Sequence, residues 1–270
     1  MKKEFAKQYG DLESWHWWFR GRRRIIETIL RRELMNSESR RILSVGCGPA
    51  GGLIWLIPFA GRRGKIVGLD IEPGHAQVSS KALGFVVGAL EKAPLADASF
   101  DAVLALDVLE HLDDDGVGLS EAVRLVRPGG LLLITVPALP SLWGSQDVVS
   151  EHRRRYTRRT LSQLFEQAGL ADYQVSYFNT LLFPLAAAVR WWRRAFRLSD
   201  FPRSDFEDNH PGLINETLTW IFSAERYLVN HAPMPIGVSL IVKCRRPLDG
   251  VAAEMIAAPI AAADEHMSLC

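Results

Sequence analysis

What most narrows the folds open to this chain is a set of short apolar runs, rich in Val, Ile and Leu and bounded by Gly, Asp or Pro. They are Ile42–Val45, Lys65–Leu69, Phe85–Val87, Ala102–Leu106 and Leu131–Val136. None alternates cleanly between apolar and polar, which is the pattern of strands buried on both faces, as in a parallel sheet. The stretches between them are long enough for crossover helices, so the chain reads as α/β and doubly wound. Ser120–Val126 is the clearest helical stretch, with Arg127-Pro128-Gly129-Gly130 read as a stop and turn before the next strand.

Beyond Pro137 the pattern changes. Thr160–Ala168 reads as a helix ending at Gly169, and Tyr173–Tyr177 and Ile236–Lys243 read as two further strands. Between those strands lie an aromatic and basic segment, Asn179–Arg197, and a helix near Leu213–Asn230. An insertion of that size is expected to be a cap rather than a loop. The expected organisation is a helical segment over residues 1–40, a main domain over 41–246 with a helical cap inserted at 179–232, and a poorly ordered tail over 247–270.

Charge and cysteine content exclude several classes. Lys and Arg total 32 against 31 Asp and Glu, a net charge of +1, which gives no extended field for nucleic acid. Three scattered cysteines form neither a disulfide framework nor a metal motif, so a reducing compartment is expected. The N-terminal residues lack the apolar core of a secretory signal, and the longest apolar stretches, Gly51–Ala60 and Leu181–Val189, are too short to span a bilayer. The expected location is the cytoplasm, with peripheral membrane contact through 181–197 as an option. The oligomeric state is not legible.

Chemistry concentrates first at Arg41-Ile-Leu-Ser-Val-Gly-Cys-Gly-Pro-Ala-Gly51. Gly46, Gly48 and Gly51 form a GxGxxG directly after one strand and before a helix. Glycines there let the backbone turn tightly and approach a ligand. Asp70, at the end of the next strand, can accept the hydroxyl protons of a ribose. Dinucleotides and S-adenosylmethionine both suit such a site.

Two later segments separate them. Ser99-Phe-Asp-Ala-Val-Leu-Ala-Leu-Asp107-Val-Leu-Glu110-His111-Leu and Leu125-Val-Arg-Pro-Gly-Gly-Leu-Leu-Leu-Ile-Thr-Val-Pro137, in that order after the glycine loop, resemble the class I S-adenosylmethionine-dependent methyltransferases, and among them the ubiquinone-biosynthesis-like group. The resemblance runs from about Arg41 to Gly169. It implies a Rossmann-like sheet, mostly parallel, whose last strand, here Ile236–Lys243, inserts antiparallel. It implies S-adenosylmethionine as cofactor, with Gly46, Gly48 and Gly51 under its methionine and ribose parts. Asp70 would hold the ribose, Ile71 would pack on the adenine, and Leu90 would lie at the adenine edge. Leu106 and Asp107 would line the floor near the sulfonium. Two departures stand out: Ser44 occupies a place where the family usually carries an acid, and Ala89 one where an Asp is frequent.

Asp107, Glu110 and His111 would share one face of a helix by their spacing. His111, or the later His152, could take a proton from an acceptor hydroxyl, imidazole being suited to that task near neutral pH. No metal site is assigned. A divalent ion held by this set, as in a metal-dependent subset of the family, and a structural role both stay open. Trp15-His-Trp-Trp-Phe-Arg20 with Arg22–Arg24 could cover the cofactor, line an acceptor pocket, or pack as an amphipathic helix on the sheet. His152-Arg-Arg-Arg-Tyr-Thr-Arg-Arg159 reads as a solvated loop, with a clamp for phosphate or carboxylate as the alternative. The expected activity is methyl transfer to a small or lipid-like acceptor, at a hydroxyl oxygen, with nucleic acid an unlikely partner. A non-catalytic cofactor-binding or membrane-associated partner protein is the alternative, with a nicotinamide-dependent oxidoreductase behind it.

Overall fold

The computed structural model describes residues 11–34, 39–48, 51–72, 80–196 and 211–248. The tail expected to lack order and the first ten residues lie outside the described residues, apart from Pro247 and Leu248. Seven strands make one sheet: β1 (Arg41–Val45), β2 (Lys65–Asp70), β3 (Leu83–Val87), β4 (Phe100–Leu106), β5 (Val126–Pro137), β6 (Tyr173–Phe178) and β7 (Ser239–Arg245). Their order across the sheet is β3-β2-β1-β4-β5-β7-β6. The pairs from β3 to β5 are parallel, and β7 runs antiparallel between β5 and β6.

The helices are α1 (Trp17–Glu33), the single turns α2 (Gly51–Ile54) and α3 (Ile57–Ala60), then α4 (Asp115–Leu125), α5 (Ser145–Val149), α6 (Arg158–Gln167), α7 (Phe183–Ala195) and α8 (Leu213–Ala224). Successive strand residues face opposite sides of the sheet, and each side has its own core. Leu43, Val45, Val103 and Ile134 pack with Leu119, Leu125, Leu161 and Phe165 of α4 and α6. Ile42, Ile66, Leu104 and Leu133 pack with Ile25, Ile26, Ile29 and Leu30 of α1 and with Phe222 of α8. Two covered faces explain why the central strands are unbroken apolar runs.

Several boundaries differ from those read in the sequence. The Arg127–Gly130 stretch is not a turn before the strand but part of β5, with Gly129 at φ 72°. Two backbone bonds to Arg246 hold it there: Gly129 N–H donates to Arg246 O at 2.8 Å, and Arg246 N–H to Gly130 O at 3.1 Å. The helix read at Ser120–Val126 starts five residues earlier, where the Asp114 carboxylate caps it by accepting from Val117 N–H at 3.0 Å. The helix near Leu213–Asn230 ends at Ala224 and tightens into a 3₁₀ turn over Glu225–Tyr227. The Glu225 carboxylate there accepts from Leu181 N–H at 2.8 Å, tying this corner to the entry of α7.

The cap meets the N-terminal helix at close range. Asn215 of α8 brackets the start of α1, accepting from Trp17 N–H and donating to Trp15 O, both at 2.8 Å. Gly21 is required at the crossing, since a Cβ there would stand 2.3 Å from Phe222 Cδ1. His16 caps α1 with Nδ1, which accepts from Trp18 N–H at 3.2 Å.

Candidate active site

β1 and β4 are adjacent, yet the chain leaves β1 toward β2 and β3 and later leaves β4 toward β5. Open α/β sheets bind ligands in the crevice at such a switch point, beyond the carboxyl ends of the strands. The glycine loop lies there. Gly46 and Gly48 both have φ 58°, the left-handed region, and Gly46 N–H donates to Leu69 O at 2.8 Å. A Cβ on Gly46 would stand 2.8 Å from Val108 Cγ2, whereas a Cβ on Gly48 would enter open space. The loop therefore offers a bare backbone cradle. Gly51 opens α2 behind it. Cys47, between the glycines, is buried, and burial together with Asp70 pushes its thiol up to about 12, so it is not a nucleophile here.

Asp70 ends β2 beside the cradle. Its Oδ2 accepts from Gly48 N–H at 2.9 Å and its Oδ1 from Glu72 N–H at 3.0 Å. A carboxylate has about four lone-pair sites, so each oxygen keeps capacity for a ribose hydroxyl. The cavity over these groups measures about 410 Å³ and is lined by Gly46, Gly48, Asp70, Leu106 and Asp107 on the sheet side. That is within the usual range for cofactor sites. Cradle, carboxylate and apolar floor together fit S-adenosylmethionine.

Two residues expected at the adenine are not among those lining the cavity. Leu90 does not line the cavity: it opens a 3₁₀ turn and is buried in the core beneath α4, 3.6 Å from where a Cβ on Gly118 would be. Ile71 is 66 % exposed and also outside the lining, just past the end of β2 at Asp70.

The expected helix face of Asp107, Glu110 and His111 is also corrected. Asp107 has φ 58°, and only Leu109–His111 form a 3₁₀ turn. The three still come together, because the left-handed residue folds the turn back over the end of β4 and all three line the cavity. Asp107 is ion-paired with Arg22 of α1, whose guanidinium lies 4.3 Å from the Trp18 ring centre. The aromatic N-terminal stretch thus both lines the cavity, through Trp17, Trp18 and Phe19, and packs on the sheet through the rest of α1.

His152 joins this cluster from the other wall. Its ring centre is 4.8 Å from that of His111, and its Nε2 is 3.9 Å from Glu110 Oε1. Its Nδ1 is 2.9 Å from Asp147 Oδ1. Burial alone would raise the Asp147 carboxyl, but the bonds from His152 and Arg155 and the charge of Arg190 outweigh it and hold it far below the usual range. An ionised carboxylate only accepts, so His152 Nδ1–H donates to Asp147, which leaves Nε2 facing Glu110 and the cavity. His111 is held neutral: burial first, then His152, lower it to about 4. Burial, with Asp107 adding to it, raises the Glu110 carboxyl well above its ordinary range. Among the described residues, neither Glu110 oxygen has a hydrogen-bond partner. Ligand atoms of Glu110, His111 and His152 lie within 4.8 Å of one another, a set that could also hold a cation.

The basic run is only partly solvated: Arg153 and Arg159 are exposed, but the run is anchored along its length. Arg155 is buried, with Nε on Asp147 Oδ1 at 2.7 Å and Nη1 on Ala138 O at 2.8 Å. Arg153 and Arg154 reach the Glu110–Asp115 loop, donating to His111 O at 3.0 Å and to Leu112 O at 2.9 Å. Arg158 donates to Met234 O at 3.0 Å. The buried Arg155 needs fixed acceptors, and the Asp147 carboxylate and the Ala138 carbonyl supply them.

Asp147 and Glu13, which lines the glycine-loop end of the cavity, were not singled out in the sequence. The faint signal for Asp147 was an acid two residues into a short helix after Gly144, whose N–H it accepts at 2.7 Å.

A family model described as a methyltransferase domain matches residues 15–175. A Mycolicibacterium smegmatis protein named as an S-adenosylmethionine-dependent methyltransferase is 30 % identical over 57 % of this chain and 59 % of its own length. A ubiquinone biosynthesis O-methyltransferase of Azorhizobium caulinodans is 30 % identical over 56 % of this chain and 66 % of its own. The matches thus span less than two thirds of either relative. Among solved structures, a Haloferax volcanii methyltransferase in complex with the Trm112 methyltransferase activator superposes with TM-score 0.56 at 20 % identity, covering 90 % of this chain and 95 % of that one. Haemonchus contortus phosphoethanolamine N-methyltransferase 2 with S-adenosyl-L-methionine superposes with TM-score 0.53 at 16 % identity, covering 82 % and 52 %. The shared sheet, the glycine cradle and the matched span agree: the chain belongs to the methyltransferase-domain family of class I S-adenosylmethionine-dependent enzymes.

Proposed function

We propose that the protein transfers the methyl group of S-adenosylmethionine to a hydroxyl oxygen of a small or lipid-like acceptor. The observation that carries this reading is the imidazole pair, His111 and His152, facing the cavity beside Asp107. S-adenosylmethionine supplies a sulfonium-bound methyl that an attacking nucleophile takes as the carbon–sulfur bond breaks. The glycine loop and Asp70 hold the cofactor, and Leu106 and Asp107 form the floor beneath its reacting end. His152, oriented by Asp147, takes the hydroxyl proton at Nε2, with His111 beside it. Trp17, Trp18 and the inner face of α7, including Leu185 and Val189, exclude water and offer apolar surface to the acceptor.

The test is incubation with methyl-labelled cofactor and a panel of phenolic, aliphatic hydroxyl and amine acceptors. An O-methyl product with S-adenosylhomocysteine in equal amount supports the reading. Label appearing only on nitrogen or carbon defeats it. Cofactor binding with no transfer to any acceptor or extract would favour the non-catalytic alternative.

A specific observation favours the lipid-like branch. The cap helices carry exposed rings: Trp191 and Trp192 of α7, each 58 % exposed, with exposed Phe196 after them, and Trp220 of α8, 70 % exposed, with exposed Leu213 and Ile214 on the same helix. No helix among the described residues is long and apolar enough to cross a membrane. Exposed indole rings suit the headgroup level of a bilayer, which would bring the cavity to an acceptor dissolved there.

A further inference from the structure

Glu13 has no role in the reading above, yet it stands at the glycine-loop end of the same cavity as Gly46, Cys47, Gly48 and Asp70. It is carried by the short helical segment over residues 11–15, far in sequence from the loop it touches. Its Oε2 and Oε1 lie 3.1 and 3.4 Å from where a Cβ on Gly52 would be, so the carboxylate rests directly on the backbone that follows the glycine loop. Among the described residues it makes no hydrogen bond or ion pair. The two cations nearest in charge are engaged elsewhere, Arg22 with Asp107 and Arg23 with Glu27. Burial pushes its carboxyl upward, against the pull of Arg22 and Arg23. A half-buried carboxylate without a partner is costly unless a cation completes it.

The cofactor brings such a cation. Its methionine end, which the glycine loop underlies, bears an α-ammonium group. Of the other acids on that side of the cavity, Asp70 is committed to two backbone N–H groups and to the ribose, and Glu72 stands two residues further on, past the end of β2. We infer that Glu13, supplied by the N-terminal segment, is the acceptor for the α-ammonium group of S-adenosylmethionine. The N-terminal segment is then part of the cofactor site and closes it from the methionine end.

The inference rests on the cofactor assignment, and the test separates the two. Calorimetry compares S-adenosylhomocysteine, its analogue lacking the α-amino group, and methylthioadenosine, which lacks the whole amino-acid chain. The parent and Glu13→Gln, which keeps shape and removes charge, are titrated with each. The expected result is that Glu13→Gln weakens S-adenosylhomocysteine by about 10- to 100-fold while binding the other two as the parent does. Unchanged binding of S-adenosylhomocysteine overturns the inference. Equal weakening of all three ligands also overturns it, because Glu13 would then only support the fold. A parent that binds none of them overturns the cofactor assignment and the inference with it.

Discussion

Asp147→Asn is the most revealing single change, because every neighbour of this carboxylate is a donor. Oδ1 receives His152 Nδ1 at 2.9 Å and Arg155 Nε at 2.7 Å; Oδ2 receives Gly144 N–H at 2.7 Å and faces Arg190 Nη1 at 3.4 Å. An amide must place its NH₂ group against one of these pairs, whichever way it turns. The change also strips the counter-charge from Arg155, whose side chain is 3 % exposed. Breaking a buried pair in this way costs about 3–5 kcal/mol. The pH dependence has a definite sign. Asp147 is held below its unfolded value of about 3.9, so its contribution is complete above that pH and is lost as pH falls toward the folded value. The parent's advantage over the variant should therefore be largest near neutrality and about 1 kcal/mol smaller at pH 3. Denaturant unfolding of both proteins at the two pH values measures it. Turnover should also fall by about 10²–10⁴-fold, because His152 loses the charged acceptor that orients its imidazole. A loss under about 1 kcal/mol at neutral pH, or a gap that does not narrow in acid, would refute the account of this cluster.

Three further outcomes are expected. Asp70→Ala should weaken S-adenosylhomocysteine and methylthioadenosine alike, by about 10- to 100-fold in calorimetry, because both carry the ribose and the Gly48 N–H loses its brace. Burial lowers His16 to about 4, so stability should fall as pH drops from about 6.5 toward 4, by at most about 3 kcal/mol for this group. His16→Asn, which keeps a cap acceptor, should flatten part of that slope in thermal melts, and an unchanged slope would show that His16 does not cause it. Trp191→Ala with Trp192→Ala should reduce sedimentation with anionic liposomes at low salt and leave cofactor affinity unchanged; a parent that never sediments would remove the membrane reading.

Much of the sheet was legible because its central strands are buried on both faces and must be apolar throughout. Ile42–Val45 and Lys65–Leu69 needed only one residue more each. The glycine loop and Asp70 could be found because they are close in sequence and require particular residue types. What stayed hidden depends on distant or backbone partners. Gly129 and Gly130 read as a turn, since nothing local announces that Arg246 pairs with them. The arginines after His152 read as solvated because their acceptors are largely carbonyl oxygens, which leave no mark in a sequence. Asp147 gathers donors from Gly144, His152, Arg155 and Arg190, and its importance lies in that convergence. Asp107 broke the expected helix because a left-handed backbone in a non-glycine residue is not announced by spacing.

The placement of β7 has a bearing on how the chain is made. Synthesis reaches Phe178 with β1 to β6 complete, but β6 has no neighbour until Ser239–Arg245 emerges to separate it from β5. Until then the long β5 presents an unpaired hydrogen-bonding edge, from Leu131 to Pro137, to the surrounding solution. The nascent protein passes through a sticky stage that lasts for the whole of the cap's translation, and growing chains on one messenger are exposed to pairing with each other there. A stop codon anywhere between Phe178 and Ser239 would make that stage permanent, leaving a product prone to aggregate rather than a smaller enzyme.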